Sequence, residues 1–340
     1  MVGWLQKIWY GGREYRWLLP LSGLYWVLLV LRRALYRTGI FSRRRVAAPV
    51  VIVGNITVGG TGKTPVTIWL AQELARRGFH PGIVSRGYGG SQSSSSMRVD
   101  AASDPVLVGD EPVLMAKRTA CAVVVDADRA RGAAKLVNDG ADVILADDGL
   151  QHYRLQRDYE ICVVDGVRGL GNRQLLPAGP LRETMDRLRS IDQMLVNGAL
   201  EEDTDVQTVI EQNAIRFDLQ ATEVCRLNGS LTRPIDRFAG KTVHAVAAIG
   251  NPGRFFDSLR AHGMQPIEHA FPDHAHLRPR DLDFGDEFDI LMTEKDAVKV
   301  MQAMPDNVWY VPVDLSMDSA LSAAWLEQMV SRLKNESRFS

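Results

Sequence analysis

The chain has 340 residues, enough for about two domains, and its 46% hydrophobic and 24% charged residues are those of a globular protein. A formal net charge of −1 gives no electrostatic ground for a nucleic-acid partner, and none is expected. The three cysteines, Cys121, Cys162 and Cys225, make no C-x-x-C pair and, being odd in number, no disulfide framework, which points to a reducing, cytoplasmic setting.

Residues 1–45 stand apart from the rest. Trp17 to Leu31 is apolar apart from Ser22 and Gly23, with Trp17, Tyr25 and Trp26 among the aliphatics. As a helix this run is about 22 Å long against about 30 Å of bilayer hydrocarbon, and Pro20 weakens its early part, so it is short for a full span. Arg32, Arg33, Arg37, Arg43, Arg44 and Arg45 crowd the downstream side, with Lys7, Arg13 and Arg16 upstream. Trp and Tyr favour the membrane interface and Arg favours anionic headgroups, so the segment reads as a helix anchored on a membrane surface carrying anionic lipids. A buried core helix accounts for the apolar residues but not for the arginines, and a signal peptide needs a small-residue cleavage site where the arginines stand.

Val50-Val51-Ile52-Val53 reads as a strand, followed by Thr57-Val58-Gly59-Gly60-Thr61-Gly62-Lys63-Thr64 and then Val66, Trp69, Leu70 and Leu74 at helical spacing. Strand, glycine-rich loop, Lys-Thr and helix is the order a phosphate cradle needs. Glycines let backbone N–H groups turn onto an anion, and the helix N-terminus adds partial positive charge. Thr57, Gly59, Gly60, Thr61 and Gly62 would line the phosphates of a nucleotide. Lys63 would reach the β- and γ-phosphates, and the Thr64 hydroxyl would take a position on Mg²⁺. Thr57 stands where the usual template has its first glycine. Val58 stands where some dimerising ATPases place a second lysine, which favours a small-molecule kinase.

Further on, Ile83-Val84, Ala122 to Val125, Val143 to Ala146, Ile161 to Val164 and Met194 to Val196 read as strands, with a helix over Asp128 to Asn138. Unalternated β-branched runs separated by helices predict a parallel sheet covered on both faces, with ligands beyond the strands' carboxyl ends. Asp126, Asp147, Asp148, Asp165 and Asn197 stand at those ends. The polar stretch 201–230 reads as a connection. Strands over Val243 to Ile249, Ile290 to Met292 and Trp309 to Val313 and a closing helix over Ala320 to Leu333 predict a second α/β unit. The expected organisation is therefore a membrane-associated helical segment over 1–45, a P-loop NTPase-like core over 46–200 and a smaller α/β domain over 231–340.

Several acidic and basic groups carry candidate chemistry. Asp147 and Asp148 would hold Mg²⁺ opposite Thr64, a metal offsetting their mutual repulsion, or they simply form an Asp-Gly turn. Asp110 in Gly109-Asp110-Glu111-Pro112 is either a helix cap or a base near the transferred phosphoryl group. Leu176 to Glu183 delivers Arg182 and Glu183, as a phosphate clamp and a further metal ligand or as a surface ion pair. Phe271-Pro272-Asp273-His274 offers an Asp-His element for a hydroxyl proton, and its histidine spacing matches no standard zinc site.

The ordered set of motifs resembles one family, the tetraacyldisaccharide 4′-kinases, or lipid A 4′-kinases. It runs through Val53 to Pro65, Ser85-Arg86-Gly87-Tyr88-Gly89, Gly109 to Pro112, Asp147 to His152, Leu176 to Glu183, Phe271 to His274 and Thr293-Glu294-Lys295-Asp296-Ala297-Val298-Lys299. The resemblance implies two α/β/α domains with an ATP cleft between them. It also implies transfer of the γ-phosphate to the 4′-hydroxyl of an acylated glucosamine disaccharide 1-phosphate, giving lipid IVA at the cytoplasmic face of the inner membrane. It implies that Asp110 and His274 act as a pair, with Asp110 taking the hydroxyl proton. A monomer is expected. A P-loop hydrolase without an acceptor and a membrane-bound nucleotide sensor stay open as rivals.

Overall fold

The computed structural model describes residues 2–11, 14–88, 90, 95–199, 214–273, 275, 277–300 and 305–337. Its first sheet is built from β1 (Val50–Gly54), β2 (Pro81–Ser85), β3 (Met97–Val99), β4 (Ala122–Val125), β5 (Val143–Asp147), β6 (Tyr159–Asp165), β7 (Gln193–Asn197), β8 (Ala214–Gln220) and β15 (Asp314–Met317). Among the described residues it has nine strands in the order β15-β8-β7-β6-β1-β5-β2-β4-β3. Its interior pairings are parallel, and only the edge strands β3 and β15 run antiparallel to their neighbours.

β1 is buried along its whole length. Its side chains alternate between two cores, as a doubly covered strand requires. Val51 and Val53 enter one with Val66, Leu70 and Leu74 of helix α3 (Lys63–Arg76), while Val50 and Ile52 enter the other with Ala130, Ala133 and Leu136 of α6 (Arg129–Asn138). Asp128 caps α6, accepting from the Ala130 N–H (3.2 Å).

The second sheet, β10-β9-β14-β13-β11-β12, comprises β9 (Glu223–Arg226), β10 (Thr232–Pro234), β11 (Thr242–Ala247), β12 (Gln265–Ala270), β13 (Asp289–Thr293) and β14 (Val308–Val311). Phe256 and Leu259 of α7 (Pro252–Ala261) cover one face, and Leu277, Leu282 and Ala297 cover the other.

The two sheets divide the chain differently from the boundaries read in the sequence. β8 completes the first sheet and β9 opens the second, so the described crossover is only Ala221 and Thr222. The chain also returns. Leu315 pairs with Leu219, and helix α9 (Ser319–Ser337) packs Trp325, Leu326, Met329 and Leu333 into the core beneath β1. Trp325 stacks on Trp69 (5.9 Å) and donates to the Tyr159 hydroxyl (3.0 Å). Residues 314–337 therefore belong to the first domain rather than to a unit spanning 231–340.

The N-terminal segment is docked on this core. Helices α1 (Val2–Gly11) and α2 (Leu19–Arg37) lie against it, and Pro20 sits in the first turn of α2, where a missing N–H costs little. The helical stretch Tyr15–Arg37, with mean hydropathy 1.5, has the length and composition to cross a membrane, although one side of it is bonded to protein. The Ser22 hydroxyl donates to the Leu175 carbonyl (2.8 Å), and the Tyr25 hydroxyl donates to the Arg182 carbonyl (3.0 Å). Trp17, Leu21, Leu24, Trp26, Val27, Leu28 and Leu31 are exposed. Part of the arginine cluster serves this docking rather than a headgroup layer. Arg32 donates to the Gln151 carbonyl (3.1 Å), Arg33 pairs with Glu183, and Arg44 faces Asp128 (3.7 Å). Arg37 and Arg43 remain exposed.

Candidate active site

The loop between β1 and α3 is shaped by two left-handed glycines, Gly59 (φ 118°) and Gly62 (φ 100°). At Gly62 a Cβ would stand 2.8 Å from Asn197 Nδ2, so both the backbone angle and the close approach exclude a side chain there. Asn197, at the end of β7, donates to the Thr61 carbonyl (3.1 Å). Asn55 reaches across the loop from Nδ2 to the Thr61 hydroxyl (3.3 Å). Val58 donates to the Pro180 carbonyl (2.8 Å), and Thr57 pairs with Leu181 in an isolated bridge. These contacts fix the loop from both flanks and leave Lys63 and Thr64 at the start of α3. Thr64 is buried.

Asp147 and Asp148 follow at the end of β5, the strand next to β1. Lys63 Nζ lies 3.7 Å from Asp148 Oδ1, and Arg182 donates to both Asp148 oxygens (2.8 and 3.1 Å). Arg129, which the sequence reading did not select, donates to the Asp148 carbonyl (3.1 Å), and Asp148 adopts φ 45° there. Burial opposes the charge on Asp148, but Lys63 and Arg182 outweigh it and hold its carboxyl below the ordinary range. Arg182 also binds Asn55, so one guanidinium joins the acid pair to the phosphate loop.

Asp147 is in the opposite situation. Its polar contacts are neutral, with Thr67 (3.4 Å) and Ser85 (3.3 Å) donating to it. Burial, followed by the carboxylates of Glu111 and Asp148, pushes it up to about 7. A carboxyl that holds its proton more tightly when folded costs stability as pH rises, here between about 4 and about 7. Asp147→Asn is therefore expected to raise the Tm of the nucleotide-free protein by about 2–4 °C at pH 8, a gain that shrinks as pH falls towards 5. Calorimetry of the two proteins across that range checks it.

Past the short helix α4 (Pro105–Val108), Asp110 is the first residue of α5 (Asp110–Arg118). The capping position belongs to Gly109, and Asp110 Oδ1 accepts from the Glu111 N–H (2.9 Å). Asp110 is buried and faces the second domain. Lys299 Nζ lies 3.6 Å and Lys295 Nζ 3.9 Å from its Oδ2.

The second sheet meets the loop here. A Cβ on Gly250, beyond β11, would lie 3.3 Å from Asp273 Oδ2 and 3.7 Å from Gly60 N. Arg254 binds Asn197 Oδ1 (2.6 Å) from the same side. The segment holding Phe271 to Asp273 thus arrives at the cleft, while His274 itself lies outside the described residues.

Glu183, expected in a metal shell, is held from the side of helix α2. Its carboxylate is fully buried, binds Arg33 and accepts from the Tyr153 hydroxyl (2.7 Å). Among the described residues no hydrogen bond or ion pair joins Glu183 to Lys63, Thr64, Asp147 or Asp148. Arg33 is nonetheless a helix α2 residue bound one position from Arg182, so α2 abuts the loop that carries the acid clamp.

The chain's likenesses agree with this layout. Residues 15–331 match the family described as tetraacyldisaccharide-1-P 4'-kinase, LpxK. A tetraacyldisaccharide 4'-kinase of Nitrosococcus oceani is 44% identical over 97% of this chain and 95% of its own length. Those of Hahella chejuensis and Alkalilimnicola ehrlichii are 42% and 46% identical, covering 99% and 92% of this chain and 98% and 92% of their own lengths. The crystal structure of the "apo" form of LpxK from Aquifex aeolicus in complex with ATP superposes with a TM-score of 0.77 at 28% identity, covering 94% of this chain and 99% of that one.

Proposed function

The chain belongs to the tetraacyldisaccharide-1-P 4'-kinase family, and from that membership and the cleft just described we propose that it moves the γ-phosphoryl group of ATP to the 4′-hydroxyl of a tetraacylated glucosamine disaccharide 1-phosphate, giving lipid IVA in lipid A biosynthesis. One observation carries the reading. The phosphate loop, the Asp147-Asp148 pair and Asp110 gather at the carboxyl ends of the first sheet, directly facing the ends of the second.

Lys63 and the loop N–H groups bind the phosphates, with Thr57, Gly59, Gly60, Thr61 and Gly62 forming the cradle. Thr64, Asp147 and Asp148 would hold Mg²⁺. They supply hard oxygen ligands, and the elevated Asp147 is a buried acid in need of countercharge. When bound, that ion neutralises charge on the β- and γ-phosphate oxygens. Arg182 holds Asp148 and the loop in one frame. Asp110 accepts the 4′-hydroxyl proton, with His274 as the partner that family similarity supplies. The hydroxyl oxygen bonds to the γ-phosphorus as the bond to the β,γ-bridging oxygen breaks, and ADP leaves. The site draws on both domains of one chain, which supports a monomer.

The exposed apolar side of α2 rests in the headgroup region of the inner membrane's cytoplasmic face, where ATP is available. The acyl chains stay in the lipid while the sugar enters the cleft. Replacing Leu24 and Leu28 by Glu should lower partitioning into anionic vesicles by at least about ten-fold, because burying a leucine contributes roughly 1.5–3 kcal/mol. Vesicle co-sedimentation measures this. Turnover itself is tested by ADP release with and without the disaccharide 1-phosphate in mixed micelles. Acceptor-dependent release is expected, equal release without acceptor would make the protein a hydrolase, and ATP binding without release would make it a sensor.

A further inference from the structure

The segment Thr293 to Lys299 has so far no part in the reaction. It begins where β13 ends and forms the short helix α8 (Glu294–Ala297), capped by the Thr293 hydroxyl, which accepts from the Asp296 N–H (3.1 Å). Lys295 and Lys299 are four residues apart and so lie on one side of the turn. Both reach across the domain boundary to α5.

We propose that Lys295 and Lys299 form a positioning clamp that orients Asp110 and keeps it charged for proton acceptance, a role that rests on reading Asp110 as the proton acceptor.

The geometry separates an anchored cation from a bridging one. Lys299 is almost entirely buried, with only 2% of its side chain exposed. It donates to Asp296 Oδ1 (2.6 Å) and the Ala248 carbonyl (3.1 Å), leaving its third donor direction for Asp110 Oδ2 at 3.6 Å. Asp296 is itself fixed, since its Oδ2 accepts from the Ala248 N–H (2.9 Å) and the Thr293 hydroxyl (2.7 Å). Lys299 is thus set in place by its own domain before it meets Asp110. Lys295 binds Glu111 Oε1 (2.9 Å) and stands 3.9 Å from Asp110 Oδ2. It holds the neighbouring acid away from competing with Asp110 for a proton.

The charged groups around Asp110 come from three places. Glu111 lies on its own helix. Lys295, Asp296 and Lys299 come from the second domain, and Asp273 acts on Lys295 from the segment after β12. Burial pulls the Lys295 ammonium down, but Glu111, Asp110 and Asp273 together hold it above its ordinary value, so it stays charged. A buried carboxylate without such partners tends to take up a proton.

The test is the pH profile of kcat/KM for the full chain in mixed micelles with Mg-ATP and disaccharide 1-phosphate. It compares wild type with Lys295→Met, Lys295→Arg and Lys299→Met. Removing one cation should move the acid limb to higher pH by about one unit, lowering kcat/KM by up to about ten-fold at pH values below the wild-type limb, with Lys295→Arg restoring the limb. Lys295, one-fifth exposed, decides the matter if Lys299→Met does not fold. An acid limb that stays in place in Lys295→Met, whatever happens to kcat, overturns the clamp and leaves a structural ion pair. Asp110→Asn, measured alongside, separates the two claims. Retained turnover removes the base assignment and the clamp with it, whereas lost turnover with an unmoved limb in the lysine variants removes the clamp alone.

Discussion

Lys63→Ala is expected to lower kcat by about 10³-fold, roughly 4 kcal/mol of transition-state stabilisation, with the fold retained. Phosphoryl transfer asks the protein for positioning and charge neutralisation more than for bond-making chemistry. Lys63 is the cation fixed at the loop, with its ammonium 3.7 Å from Asp148 and its side chain largely buried. Its removal takes away the charge facing the β- and γ-phosphates and strips Asp148 of one of the three cations, Lys63, Arg182 and Arg129, that keep it ionised. Lys63→Arg should recover little, because a planar guanidinium does not replace a compact ammonium inside a glycine cradle. Initial rates at saturating Mg-ATP and a Tm within a few degrees of wild type check the claim. Near-wild-type turnover would remove Lys63 from the centre of the account.

Asp110→Ala should lower kcat by about 10²–10³-fold, no more than Lys63→Ala does, with Mg-ATP affinity preserved. The residue is buried beside two lysines of the second domain, so its loss is expected to act on the acceptor side. Titration with a non-hydrolysable ATP analogue separates the two variants. Lys63→Ala loses affinity, and Asp110→Ala keeps it. If Asp110→Ala fell further than Lys63→Ala, proton transfer rather than charge neutralisation would limit the reaction.

Much of the site could be read from the chain because its signals are local. The run Val50 to Val53, the glycines before Lys63 and the acids closing each apolar run all lie within a few residues of the structure they specify, and β1, α3 and β5 form where those signals stand. Asn197 could be placed at a strand end, but not its bond to Thr61, which depends on β7 lying two strands from β1.

What the sequence left open depends on distant pairing. Nothing in Asp314 to Met317 says that it joins β8 rather than the sheet just left, because edge-strand choice is decided by which partner is free. The arginines in and after the last turns of α2 show only charge, and charge alone does not separate a headgroup contact from Arg33 bound to Glu183. The same holds for Glu183. Its place beside Arg182 suggested the metal, and its burial against α2 comes from a helix about 150 residues earlier in the chain. Lys295 and Lys299 show their four-residue spacing plainly, yet their partner lies on another domain.

The central claim is that this cleft hands a phosphoryl group from ATP to a sugar hydroxyl at the lipid boundary. The most direct measurement is to incubate the purified protein with γ-labelled ATP, Mg²⁺ and tetraacyldisaccharide 1-phosphate in mixed micelles and to determine where the label ends. The account predicts a lipid product with one added phosphate on the 4′ oxygen, and none with Lys63→Ala. Label released only as inorganic phosphate, or attached at any other position of the disaccharide, would contradict it.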